Sequence, residues 1–177
     1  KYVVVIPTFV RSYEFTGEAI EPDVSTSGAR GSSWSVAYET EDSTNYGLYW
    51  LTLTLPDSDN YVWGTNYLES FYEGSEVKDC AVGENAVKLF YTITKTTYTA
   101  TVVTSNFTYG DIKTPTLEIN LEGDALKEVA AATPTYYYQI KDSGGDWIEF
   151  EGQTLDAGVY QWYVYVPSTE NFSYGNF

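Results

Sequence analysis

Histidine and methionine are absent from this sequence of 177 residues, and cysteine occurs once, as Cys80. Without histidine, neither a Ser-His-Asp nor a Cys-His nucleophilic site can be assembled. A single thiol excludes a disulfide within the chain and the four-thiolate or Cys/His zinc patterns; Cys80 itself reads as a small residue half buried in a strand. Positive charge is scarce: 9 basic residues stand against 25 acidic ones, a formal net charge of -16 spread along the chain. Phosphates would be repelled, which leaves nucleic acid out of the expected partners. No apolar run approaches the ~20 residues that cross a bilayer, and no signal-peptide core opens the chain, which reads as a mature product or an excised piece. Gly-rich phosphate loops are missing too, since Gly144-Gly145 follows no parallel strand and opens no helix. Paired carboxylates of the glycosidase kind have a simpler reading as solvated loop charge, and no enzymatic activity is expected.

What the chain has instead is aromatic residues, 18% of the total with 18 Tyr and 5 Trp, a composition of strands. One stretch occurs twice without a gap, Gly47-Leu-Tyr-Trp-Leu-Thr-Leu-Thr-Leu-Pro-Asp-Ser-Asp-Asn-Tyr-Val-Trp-Gly64 and Gly158-Val-Tyr-Gln-Trp-Tyr-Val-Tyr-Val-Pro-Ser-Thr-Glu-Asn-Phe-Ser-Tyr-Gly175. Gly47/Gly158, Tyr49/Tyr160, Pro56/Pro167, Asn60/Asn171 and Gly64/Gly175 are identical, which makes the chain a tandem array of two units, 1–96 and 97–177, each of about 80 to 95 residues. Strand signals bounded by Gly, Asp, Asn, Ser and Pro recur at 2–6, 19–24, 34–39, 48–55, 67–72, 87–94, 99–104, 116–121, 135–141 and 159–166. This spacing suits all-β sandwiches or barrels and gives no room for βαβ crossovers. The one helix-like window, 124–132, is worth one or two turns and is stopped by Pro134.

Alternation in the repeated strand agrees between the copies. Tyr49, Leu51, Leu53 and Leu55 share a face, as do Tyr160, Trp162, Val164 and Val166; the agreement marks that face as core, because a slip of one residue would exchange the two sides. Trp50, Thr52 and Thr54, with Gln161, Tyr163 and Tyr165, then face outward. A second pairing, Phe15-Thr-Gly-Glu-Ala-Ile-Glu-Pro22 against Thr108-Tyr-Gly-Asp-Ile-Lys-Thr-Pro115, places Gly at a turn and Pro at an edge or bulge. Residues 136–149 read as a hairpin around Ser143-Gly144-Gly145.

The pieces Tyr109-Gly110-Asp111, Phe15-Thr16-Gly17, Asp156-Ala157-Gly158-Val159-Tyr160 and the turns Asn60-Tyr-Val-Trp-Gly64 and Asn171-Phe-Ser-Tyr-Gly175 resemble the bacterial immunoglobulin-like repeats, of the MBG type, of large cell-surface and adhesin proteins. The resemblance covers most of both units and departs from it over 65–83. It implies two tandem immunoglobulin-like β-sandwiches and a non-enzymatic stalk, spacer or adhesion module, extracellular at the cell surface or secreted. Its partners would be other repeats of the same protein, or host glycans or proteins.

The repeated stretch is also similar to strand F of an immunoglobulin sandwich, whose Tyr hydroxyl bonds back to the preceding corner; Tyr160 fits this role and Tyr49 more loosely. Residues 87–94 would be strand G of the first unit, while the second is expected to lack that strand, through truncation or because a donor strand such as 2–6 of another copy supplies it, giving a strand-assembled filament subunit. Trp50, Tyr163 and Tyr165 are candidates for stacking on sugar in a carbohydrate-binding module. Asp57, Asp59 and Asn60 form a candidate Ca²⁺ loop, against the simpler expectation that Asn60 and Asn171 bond their own turn backbone and that no cofactor is needed. A self-catalysed Lys–Asn cross-link would suit a chain without disulfides; Lys88 and Lys95, on the expected strand G, are its candidate lysines, with no acidic partner placed by the sequence.

Overall fold

Alternating apolar and polar residues make strands wherever one side has a core to cover. The computed structural model, which describes residues 1–40, 42–104, 110, 113–150 and 158–177, is accordingly an all-β fold with one short helix among those residues. It separates into two units, Lys1–Thr94 and Lys95–Phe177. Lys95 and Thr96 fall with the second unit because Thr96 donates to Asn171 O at 3.0 Å and accepts from Ser173 N at 2.9 Å. No helix of the described residues is long and apolar enough to cross a membrane.

The first unit contains β1 (Tyr2–Val4), β2 (Ser12–Glu14), β3 (Ser35–Tyr38), β4 (Gly47–Thr54), β5 (Tyr61–Trp63), β6 (Glu69–Tyr72), β7 (Ser75–Lys78), β8 (Cys80–Val82) and β9 (Ala86–Thr94). The main sheet runs β2-β9-β4-β3, with β8 also paired to β9. β4 lies antiparallel to β9 over its whole length, from Gly47↔Ile93 to Thr54↔Ala86, so residues 87–94 lie beside the repeated strand. Leu51, Leu53 and Leu55 meet Val87, Leu89 and Tyr91, all 0% exposed, so the face marked by the alternation is the core. Burial of each aliphatic side chain contributes about 1.5–3 kcal/mol. Trp34 and Trp63 close one end edge to face, their centroids 5.3 Å apart. β1 and β5 pair separately and in parallel.

No strand forms over 19–24. Pro22 has no N–H to give a ladder, and the Ile20 backbone is taken by Ser43, whose O accepts Ile20 N at 3.1 Å and whose Oγ donates to Ile20 O at 2.6 Å. β2, β5, β7 and β8 carry no signal of their own in the sequence, because strands of three or four residues are too short for their period to be read.

Inside this unit lies an ion pair. Arg11 donates from both terminal nitrogens to the two oxygens of Asp79, at 2.9 and 3.0 Å, and again to Phe90 O at 2.7 Å. Asp79, with its side chain 0% exposed, also accepts Leu68 N and Phe90 N at 3.1 Å each. The guanidinium lies 4.0 Å from the centroid of Phe9. Burial of a carboxylate is tolerated only with this density of donors.

The second unit pairs β10 (Ala100–Val103) with β11 (Thr116–Ile119), follows with α1 (Gly123–Ala131), and forms a sheet of β12 (Thr135–Lys141), β13 (Trp147–Glu149), β14 (Tyr160–Val166) and β15 (Gly175–Asn176) in the order β13-β12-β14-β15. α1 has 9 residues, as many as the window and more than the one or two turns expected of it, and it ends before Pro134 as expected. The hairpin between β12 and β13 forms where the sequence placed it: Asp142 Oδ1 accepts Gly144 N and Asp146 N at 2.9 Å each, and Gly145 takes the left-handed turn position at φ 92°. Val164 and Val166, both 0% exposed, confirm the inward face of β14.

The expectation of an absent last strand is corrected by β15. Asn176 stands opposite Tyr165 where Ala86 stands opposite Thr54. Phe177 exchanges two backbone hydrogen bonds with Val164, at 2.9 and 3.0 Å, in the position Val87 holds opposite Leu53. The place beside β14 that β9 takes beside β4 is therefore entered, by a much shorter segment. Most of the expected turn around Tyr109-Gly110-Asp111, and the approach Asp156-Ala157, lie outside the described residues.

Candidate functional site

The repeated stretch builds the same turn twice. Gly47 and Gly158 each lie under the ring of the tyrosine two residues on: a Cβ on either would meet Tyr49 or Tyr160 at 3.2 Å. Tyr49 Oη then donates to Asn45 O at 2.8 Å, which is the back-bonding corner expected of strand F, found at the position that fitted it more loosely. Asp156, the residue that corresponds to Asn45 in the second copy, lies outside the described residues.

After the strand, each unit anchors its turn to the segment that opens the unit. Tyr2 pairs in parallel with Tyr61, and Thr96 with Phe172; Tyr2 N donates to Asn60 O at 2.7 Å and Thr96 N to Asn171 O at 3.0 Å. Both asparagines are held by a carboxylate, from different places. In the first unit Asp57 Oδ1 accepts Asn60 N at 3.2 Å, and the Asn60 amide lies 3.0 Å from Asp57 Oδ2. In the second, Glu128 of α1 accepts Asn171 N at 2.8 Å, Asn171 Nδ2 at 3.0 Å and Thr169 Oγ1 at 2.5 Å. Burial pushes the Glu128 carboxyl upward, but those donors and the charge of Lys95 outweigh it, and its pKa is lowered. Lys95 Nζ completes the group by donating to Thr169 O at 2.5 Å.

In the Asp57-Asp59-Asn60 loop, Asp57 and Asn60 bond to each other, the Asn60 Nδ2 lying 3.2 and 3.0 Å from the two Asp57 carboxylate oxygens. The Asn60 side chain bonds within its turn, to the Asp57 carboxylate and not to turn backbone, whereas the Asn171 amide bonds outside its turn, to Glu128 of α1.

The outward aromatics divide between the units. On β4, Trp50 packs edge to face on Phe90, centroids 6.1 Å apart, and carries the Lys88 ammonium 4.8 Å from its ring; Lys88 is in turn paired with Glu39 at 2.6 Å. On β14, Tyr163 lies opposite Tyr137, rings 5.6 Å apart, and Tyr165 lies beside Tyr174, rings 6.1 Å apart. Tyr163 Oη donates to Asn176 Oδ1 at 2.6 Å, and Gln161 donates to Gln139 at 2.6 Å two pairs further along the register, the next pair on the same face. The structure thus brings Tyr163 and Tyr165 into one face with Tyr137, Tyr174 and the amides of Gln139, Gln161 and Asn176, while Trp50 belongs to the first unit. Such a face offers ring surfaces for stacking and amides for hydroxyl groups.

Cys80 is exposed and not half buried, because β8 is a three-residue strand whose side chains all reach solvent. Lys95 lies beyond the end of β9 at Thr94, so it is not on the strand where it was expected. Sequence reasoning missed Glu128, Arg11 and Asp79; the sole signal for Glu128 was its place beside apolar Val129 in the helical window, a weak one.

Fold and site together define an all-β protein of two units whose turns are built alike. No known family, curated protein or solved structure matches the chain.

Proposed function

We propose that the chain is a pair of immunoglobulin-like repeats acting as a non-enzymatic extracellular stalk or adhesion module of a bacterial surface protein. The observation that carries this reading is the recurrence, in both units, of Gly under Tyr at 3.2 Å followed by an Asn-centred turn paired in parallel to the opening segment. Repetition at the level of individual hydrogen bonds supports duplication of a structural module, which is how spacers are made. Its net charge of -16 keeps a serial array soluble. Mechanical stretching of the whole chain tests the reading: two separate unfolding events per molecule are expected, and one gradual low-force extension would sink it.

A second reading, a carbohydrate-binding module, is favoured by the Tyr137, Tyr163, Tyr165 and Tyr174 face with its Gln139–Gln161 pair. Binding on a glycan array that disappears in Tyr163→Ala and Tyr165→Ala would select it. Uniform absence of signal for the unchanged protein would leave the stalk reading alone.

A further inference from the structure

In the second unit an amine, a carboxamide and a carboxylate converge. The parallel bridge Thr96↔Phe172 makes Lys95 and Asn171 neighbours in register. Asn171 is 4% exposed, and its Nδ2 donates to Glu128 Oε2 at 3.0 Å. Lys95 Nζ and the Glu128 carboxylate both bond to Thr169, the first to its O and the second to its Oγ1, each at 2.5 Å. Hence the Glu128 carboxylate stands at the nitrogen that an acyl transfer from Asn171 would expel, with a lysine ammonium close by.

We propose that Lys95 and Asn171 are the two ends of a self-formed isopeptide bond, with Glu128 as its catalytic proton carrier. Glu128 takes a proton from the Lys95 ammonium, and the freed electron pair attacks Asn171 Cγ. The Nζ–Cγ bond forms, the Cγ–Nδ2 bond breaks, and Nδ2 departs. Of the three ammonium protons one stays on the new amide and two leave with the Nδ2 group as ammonium, so the carboxylate is regenerated and no oxidant or cofactor is consumed. Burial of Asn171 limits the water that would compete as nucleophile.

The first unit is an internal control. Lys1 and Asn60 hold the corresponding places, since Tyr2 N bonds Asn60 O as Thr96 N bonds Asn171 O, and there the carboxylate comes from Asp57 in the turn itself. Lys1 and Asn60 are exposed there, so the carboxamide is solvated and no bond is expected.

Intact-mass spectrometry of the folded protein, with fragmentation of its peptides, tests the proposal. The expected result is a loss of about 17 Da, one ammonia, with a branched peptide joining Lys95 to Asn171 and none joining Lys1 to Asn60. Lys95→Arg and Glu128→Gln should return the full calculated mass, with circular dichroism reporting that each is folded. Full mass in the folded unchanged protein would overturn the proposal, and so would a 17 Da loss persisting in Lys95→Arg, which would mark a succinimide at an asparagine. A cross-link that survives in Glu128→Gln would overturn the role given to Glu128. If a variant fails to fold, the branched peptide in the unchanged protein still decides.

Discussion

Replacing Asp79 by alanine should be the most damaging single change to a polar side chain in the first unit. The carboxylate is 0% exposed and accepts four hydrogen bonds, two from Arg11 and one each from Leu68 N and Phe90 N. Its removal leaves a guanidinium that is only 15% exposed without its counter-charge, and two backbone donors without acceptors. Breaking a buried pair in this way costs about 3–5 kcal/mol, a fall in melting temperature on the order of 15 °C or more for a unit of this size. Arg11→Met should cost less, about 1–3 kcal/mol, because Asp79 keeps its two backbone donors and the methionine refills the space over Phe9. Urea unfolding followed by tryptophan fluorescence gives both numbers. The reasoning fails if Arg11→Met is as costly as Asp79→Ala, since the carboxylate would then owe its tolerance to the guanidinium alone.

Three further outcomes are expected. The Glu128 pKa is lowered in the folded state, so its contribution is complete above the ordinary glutamate range and is lost as pH falls through the folded value; the gap in urea midpoint between the unchanged protein and Glu128→Gln should be widest at neutral pH and close in acid. Gly175→Ala places a methyl 2.4 Å from the Phe177 ring and 2.9 Å from Tyr98 Oη, and should release β15, read as faster hydrogen exchange at Val164 and Phe177. Asp57→Ala should destabilise the first unit by about 0.5–2 kcal/mol through loss of the Asn60 N–H acceptor, while a chelator leaves the melting temperature of the unchanged protein where it was; a chelator-sensitive melt would return the loop to calcium.

The strands that hold the core were legible because their period is long enough to count: eight residues of β4 and seven of β14 display the two faces twice over. Short pieces such as β2 and β8 owe their pairing to β9 beside them, a tertiary cause that leaves no local pattern. Residues 19–24 alternated plausibly, yet Pro22 and the claim of Ser43 on the Ile20 backbone decided against a ladder. For the site, the two asparagines were visible as identical positions in the repeat and Asp57 as an acidic residue in the loop of Asn60, whereas Glu128 was not, because it lies on a helix 43 residues from Asn171. Arg11 and Asp79, far apart in the chain, could be paired only by the fold.

The two carboxylates also differ in when they can act. Asp57 is three residues from Asn60, so the first turn can close on itself within one short segment, early in folding and with little chain to organise. Glu128 reaches Asn171 across a separation of 43 residues, so the second turn must wait for α1 to form and dock, which adds the cost of closing a long loop before the contact returns anything. Two turns built alike are therefore expected to close on different schedules, the first from a contact three residues apart and the second from one 43 residues apart, which stopped-flow refolding of Asp57→Ala and Glu128→Gln would separate.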